Sequence, residues 1–143
     1  MDLALMQRVL PFFLEAAWVT LSISVLAILL GFCIAVVLVA GRLSDFFVAR
    51  WLSRAYVSVF RGTPCLVQLF VLYFGGPQIG LELEPYSAGV IGLALNIGAY
   101  MAESIRGAII NVDRGQAEAA RSIGFGRGQT LWLVTLPQAA RLM

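Results

Sequence analysis

The 143-residue sequence contains no histidine and no lysine, and charged residues make up only 13% of it. Zinc sites are built mainly from cysteine and histidine, so two isolated cysteines, Cys33 and Cys65, indicate neither a metal site nor a disulfide framework. Without histidine or lysine, these cysteines also lack an evident catalytic base, which argues against an intramembrane enzyme. A net charge of +2 is too small to indicate nucleic-acid binding. We therefore expect no catalytic residues and no metal site.

Hydrophobic residues make up 60% of the chain, whereas soluble domains contain about 45–50%. The longest uncharged run covers residues 16–41, and these 26 positions exceed the roughly 20 that cross a bilayer. This run predicts span 1, with Trp18 as an interfacial aromatic residue. Apolar residues before the run recur at helical spacing from Leu3 to Leu14. The sequence leaves open whether that segment lies on the membrane surface or is unstructured.

Two further spans are predicted, over residues 55–76 and 86–110. Pro64 lies near the start of the second span, where neighbouring helices must satisfy the freed carbonyls. The third span is rich in glycine and alanine, which allow helices to approach closely in lipid. Glu103 and Arg106 are three residues apart on this helix and are expected to pair. The fold class is thus an all-α membrane protein with a transmembrane helical bundle.

Arginines in the loops predict the orientation of the chain. Residues 42–61 hold four arginines and residues 103–143 hold five, whereas Glu82 and Glu84 lie in a loop without arginine. Because basic loops remain in the cytoplasm, we expect the N-terminus and the Glu82/Glu84 loop outside.

Residues 113–124 predict a short amphipathic helix on the cytoplasmic side. Asp113 and Gln116 have the spacing of a capping box, and Gly124 is a natural stop. Glu118 and Arg121 are spaced to form an ion pair. The expected apolar face consists of Ala117, Ala120 and Ile123. An ordinary surface helix is one interpretation of this pattern.

A longer motif in the same region gives a second interpretation. Glu118-Ala119-Ala120 is followed after three residues by Gly124, after nine more by Val134, and after one more by Leu136-Pro137. This spacing resembles the EAA loop of ATP-binding-cassette (ABC) importer permeases, with valine in place of isoleucine. Further matches are similar to the polar-amino-acid branch (His, Glu, Gln, Arg and opines): Arg61-Gly62-Thr63-Pro64, Ala99-Tyr100, Glu103, Arg106-Gly107-Ala108, Gly115-Gln116 and Pro137-Gln138-Ala139.

The resemblance implies a permease subunit in the cytoplasmic (inner) membrane of a prokaryote, with three spans, a coupling helix and the start of a fourth helix at residues 129–143. Besides membrane lipid, it implies four kinds of partner: an ABC ATPase dimer, a second permease subunit (the same or homologous), an extracytoplasmic solute-binding protein and a polar amino acid. The ATPase would use ATP and Mg, so no cofactor is expected on this chain. Family permeases continue through further spans, so this chain is expected to be partial. The implied ATPase-coupling residues are Gly115, Gln116, Glu118, Ala119, Ala120 and Gly124.

Polar residues of the third span are candidates for a substrate path. Asn96, Tyr100 and Glu103 lie on one helix face and could line a passage for a zwitterion, or each could serve helix packing. The role of the family turn Arg61-Gly62-Thr63-Pro64 is also left open, because its residues by themselves indicate only a kink with an interfacial cation. The alternative function is a membrane protein outside the ABC class, a channel subunit or a structural scaffold.

Overall fold

A computed structural model describes residues 3–142, which contain α-helical, π-helical and 3₁₀ segments and no strand. The α-helices are α1 (Leu3–Leu43), α2 (Phe47–Gly62), α3 (Cys65–Phe70), α4 (Pro85–Asn111), α5 (Arg114–Ser122), α6 (Arg127–Thr130) and α7 (Leu136–Ala139). A π-helical turn, Val71–Gly75, and a 3₁₀ turn, Gly76–Ile79, extend α3, and a second π-helical turn, Leu131–Thr135, joins α6 to α7. By length and composition α1 and α4 can each cross a membrane, and α2 with the extended α3 forms a bent third candidate.

Helix α1 contains the predicted span 16–41 and extends well beyond it. Residues before the span continue the helix from Leu3, so neither a separate surface segment nor an unstructured one is present there. Pro11 lies inside the helix, where it has no N–H to donate to the carbonyl four residues earlier. Within the apolar stretch, the hydroxyls of Thr20 and Ser24 donate to the carbonyls of Ala16 and Thr20 at 2.8 and 2.7 Å. These bonds satisfy polar groups that lipid cannot.

The predicted second span, residues 55–76, is not one continuous helix. Its helices meet at a bend of 106° between Gly62 and Cys65. Pro64 has no N–H to continue the ladder, and it holds the preceding Thr63 in an extended conformation (φ −118°, ψ 143°). The kink expected at this turn is therefore a full break, because the proline separates two helices.

The bend gives α2 and α3 different neighbours. Ser53 of α2 lies directly against Gly41, and Val57 packs with Leu38 and Ala102, so α2 crosses the ends of α1 and α4 that are predicted to be cytoplasmic. The extended α3 instead runs back along α4, where Leu69 packs on Gly92. The α2–α3 segment thus contacts α4 at two places, near Ala102 and near Gly92.

Small residues allow α1 and α4 to pack at close range. A Cβ placed on Gly98 would lie 2.8 Å from Cγ2 of Ile34 and 3.1 Å from the carbonyl oxygen of Gly31. A Cβ on Gly31 would in turn lie 2.9 Å from Cγ2 of Ile97. The buried residues around this contact are mostly alanines: Ala27, Ala35, Ala94, Ala99 and Ala102. The helix of small residues therefore packs against α1.

The substitution Gly98→Ala tests this contact. The added methyl group would overlap Ile34 and a backbone oxygen, and such overpacking typically costs about 1–3 kcal/mol. Gly107→Ala is the matched control on the same helix, because a Cβ there would meet no atom within 4 Å. We expect a lower unfolding temperature in detergent for Gly98→Ala, and an unchanged or slightly raised one for Gly107→Ala. Equal unfolding temperatures for the two variants would contradict the close α1–α4 contact.

Candidate functional site

The predicted amphipathic helix is α5, and its first turn is capped by Asp113. The carboxylate oxygen Oδ1 of Asp113 accepts a hydrogen bond from the backbone N–H of Gly115 at 2.6 Å, so this residue is the N-cap. Among residues 3–142, the second hydrogen bond of the predicted capping box, from the backbone N–H of Asp113 to the side chain of Gln116, is absent. The side chain of Gln116 instead accepts from Nε2 of Gln138 at 3.4 Å, because α7 packs beside α5.

Gly124 ends α5 in a left-handed conformation, as the sequence predicts. Its φ is +94°, which L side chains rarely adopt. The backbone N–H of Phe125 donates to the carbonyl of Ala120 at 3.1 Å, and that of Gly124 donates to Arg121 at 3.0 Å. These two bonds form a Schellman motif, which satisfies carbonyls at the end of the helix.

The faces of α5 differ in part from the prediction. Ala120 is buried and Ala117 half-buried, but Ile123 is 75% exposed, so it is not part of the inner face. Glu118 and Arg121 do not form the predicted ion pair among the described residues. Both side chains are exposed, where the entropy of holding two long chains together offsets the attraction. The inner face thus consists of alanines, and the surface residues include Gly115, Gln116, Glu118, Ala119, Arg121, Ile123 and Gly124.

The segment around α7 connects α5 to the end of α4. Ala108 and Val112 of α4 form a buried cluster with Ala139 of α7. The π-helical turn before α7 contacts α5, and the Gln138–Gln116 hydrogen bond joins α7 to α5 directly. The short helix is therefore packed against the same segment that contains the Val134 and Leu136-Pro137 positions of the motif.

Asn96, the first substrate-path candidate, belongs to a hydrogen-bond network that closes the α2–α3 bend. Its Nδ2 donates to Oε1 of Gln68 at 3.1 Å and to the carbonyl of Phe60 at 3.4 Å. Nε2 of Gln68 donates to Phe60 O at 2.8 Å, Thr63 O at 3.0 Å and Thr63 Oγ1 at 2.7 Å. Sequence reasoning missed Gln68, although it is a lone polar residue in an apolar stretch four positions after Pro64.

The other two candidates have different surroundings. Glu103 pairs with Arg106 as predicted, through Nε at 3.0 Å and through a second guanidinium nitrogen. It also lies 3.4 Å from Arg42 at the end of α1, a partner that sequence reasoning missed. Tyr100 is about half exposed, and the guanidinium carbon of Arg61 lies 5.4 Å from its ring centroid. The three candidates therefore do not converge on one pocket.

The family turn contacts both Tyr100 and the Gln68 hydrogen-bond network. Arg61 contacts Tyr100, while the backbone carbonyl and hydroxyl of Thr63 accept from Gln68. A cavity of about 550 Å³ opens beside the turn between α2, α3 and α4. Thr63 and Gln68 are the polar side chains among its largely apolar lining.

The Glu103 ion cluster makes a prediction about stability. Replacing Glu103 by Gln leaves Arg42 and Arg106 without their carboxylate in a site where the side chains are only 17–29% exposed. We expect a loss of about 1–3 kcal/mol, seen as a lower unfolding temperature in detergent. Asp45→Asn is the control, because its ion pair with Arg127 is almost fully exposed and should not affect stability measurably. A shift no larger than that of the control would show that the cluster does not hold α1 to α4.

The family model and the similar proteins that match this chain agree with one another. Residues 27–143 match the family described as "Binding-protein-dependent transport system inner membrane component". The chain is 43% identical over 144 residues to the "Probable amino-acid ABC transporter permease protein PatM" of Vibrio harveyi, covering 99% of this chain and 65% of the relative. It is 40% identical over 131 residues to the arginine transport system permease protein ArtQ of Bacillus subtilis, covering 91% of this chain and 60% of the relative.

One solved structure has the same fold. The crystal structure of an amino acid ABC transporter with histidines matches 99% of this chain with a TM-score of 0.92 and 36% sequence identity, and 66% of that chain is covered. The present chain thus spans slightly less than two thirds of these proteins.

Proposed function

Because this chain belongs to the family of binding-protein-dependent transport system inner membrane components, whose matched relatives are amino-acid ABC transporter permeases, we propose that it couples amino-acid import to a separate ATPase through α5. The observation that carries the proposal is the build of α5. Its ends are fixed by Asp113 and Gly124, its inner face is packed against the segment that leads into α7, and its outer face is exposed.

The outer face of α5 has the chemistry of a docking surface. Gly115, Ala119 and Gly124 have little or no side chain, so a partner's backbone can approach closely. Glu118 is exposed and has no arginine partner among the described residues, so its carboxylate is available to a donor on the ATPase. Ile123 adds an exposed apolar contact at the end of the helix. The motif spacing and this surface support the same role.

The wider assembly is also a proposal. The ATPase would be a dimer that binds ATP and Mg, and a second permease subunit, the same or homologous, would complete the pathway. An extracytoplasmic binding protein would deliver a polar amino acid. Arginine is a suitable first substrate to assay, because one relative is named for its transport. Asn96, Tyr100 and Glu103 are kept as the candidate residues of the substrate path. The cavity of about 550 Å³ beside Gln68 is a further candidate part of that path.

Two substitutions test the coupling role. Gly124→Arg places a long side chain at a position with positive φ on the docking face, and Glu118→Lys reverses the charge there. Neither position faces lipid in the proposed orientation, so we expect near-normal membrane abundance. Loss of a charge-assisted hydrogen bond of about 1–3 kcal/mol should weaken ATPase binding, and both variants should lose amino-acid uptake. The measurements are co-purification of the ATPase and uptake of labelled arginine at matched abundance.

Gly128→Arg is the matched control for these variants. Gly128 is exposed, its φ is not positive, and a Cβ there would meet no atom within 4 Å. It adds the same side chain four residues beyond Gly124, and we expect ATPase binding and uptake to be retained. Normal uptake in both Gly124→Arg and Glu118→Lys would refute the coupling role of α5.

We also propose that the N-terminus lies outside the cytoplasmic membrane and that α5 lies in the cytoplasm. This orientation predicts that a cysteine at position 83 reacts with an impermeant maleimide in intact cells, while one at position 46 reacts only after permeabilisation. Cys33 and Cys65 are first replaced, because both are free thiols. The opposite labelling pattern would place α5 outside and remove it from the ATPase.

A further inference from the structure

Helix α2 has a row of arginines without carboxylate partners. It contains Arg50, Arg54 and Arg61 and no acidic residue. Among residues 3–142, none of the three lies within 4 Å of a carboxylate. Arg61 contacts the ring of Tyr100, and the nearby Glu103 already pairs with Arg42 and Arg106. The charges of Arg50 and Arg54 therefore remain uncompensated within the described chain.

Exposed aromatic residues adjoin these two arginines. At about 100° per residue, Arg50 and Arg54 fall within a narrow arc, and Phe47 and Trp51 lie directly beside it. Phe47 is 70% exposed and Trp51 is 58% exposed. We refer to Phe47, Arg50, Trp51 and Arg54 as the basic face of α2. The next arc of the helix is aliphatic and also exposed, and it consists of Val48, Leu52 and Val59.

The position of α2 brings this face to a membrane boundary. The Ser53–Gly41 and Val57–Leu38 contacts place α2 across the end of α1, where the uncharged run of that helix closes at Arg42. The 106° bend keeps α2 from following α3 along α4. A helix with cations on one arc, aromatic residues beside them and aliphatic residues beyond is suited to lie at the interface between headgroups and acyl chains.

We propose that the basic face of α2 binds the headgroups of anionic phospholipids. Each guanidinium presents a planar set of donors that matches a phosphate, while Trp51 occupies the headgroup level. The exposed aliphatic arc would then face acyl chains, which accounts for apolar side chains that no part of the described structure covers. An acidic protein surface would complement the arginines but would leave this aliphatic arc unexplained.

The test measures lipid preference around the full chain in nanodiscs. Spin-labelled phosphatidylglycerol and phosphatidylcholine are compared by electron paramagnetic resonance, which gives the ratio of their association constants. We expect the wild-type chain to prefer phosphatidylglycerol. In the double variant Arg50→Gln/Arg54→Gln the preference should fall by roughly fivefold per arginine, since each basic residue near an anionic surface contributes about 1 kcal/mol.

Two further variants separate charge from folding and from net charge. Arg50→Lys/Arg54→Lys keeps both cations and should retain most of the preference. Arg8→Gln/Arg141→Gln removes two exposed arginines elsewhere and should leave the preference unchanged. Equal association of the two lipids with the wild-type chain would overturn the proposal. So would a preference that survives in Arg50→Gln/Arg54→Gln, or one that is lost equally in Arg8→Gln/Arg141→Gln.

Discussion

The close contact between α1 and α4 is the interaction on which the other contacts depend. Glycine at positions 31 and 98 lets the two helices approach so closely that a methyl group on either would overlap the other helix. In lipid, where burial of apolar surface gives helices no preference for each other, such packing must supply much of the association energy. The same approach brings Arg42 to Glu103 and builds the buried cluster on which α2 rests through Val57.

The sequence was sufficient for the two long helices and insufficient for the bent segment between them. Uncharged runs and small residues depend on composition, so α4 and the uncharged part of α1 could be predicted, whereas the extension of α1 back to Leu3 could not. The bend depends on where the freed carbonyls of the α2–α3 junction find donors. Gln68 lies eight residues from Phe60, but Asn96 is 36 residues away, and only the tertiary packing shows that it reaches the same carbonyl. A proline in a span therefore predicts that the helix is interrupted, but it does not predict the angle of the bend.

The same distinction between local and distant partners applies to α5. The N-cap at Asp113 and the left-handed Gly124 each involve residues within one helical turn, and both were predicted correctly. The role of Gln116 and the exposure of Ile123 were not, because they depend on how α5 packs beside α7. Asn96, Tyr100 and Glu103 share one helix face, but each meets a different neighbour, and helical spacing contains no information about those neighbours.

These contacts also define how a force on α5 would reach the membrane-embedded helices in the proposed role. Helix α5 packs beside α7, and α7 is held to the end of α4 by Ala139 against Ala108 and Val112. Five residues before Ala108, Glu103 joins α4 to Arg42 of α1. A displacement of α5 would thus be transmitted to α4 by packed side chains, whereas movement of α4 relative to α1 would require the Glu103–Arg42 pair to lengthen. The energy of an ion pair changes gradually with distance, whereas the energy of a close van der Waals contact changes steeply. Movement of α4 relative to α1 is therefore resisted least at the Glu103 end and most at Gly31 and Gly98. In such a movement α4 would therefore rotate about the Gly31–Gly98 contact, and the Glu103 ion cluster is the part of the α1–α4 interface that would separate.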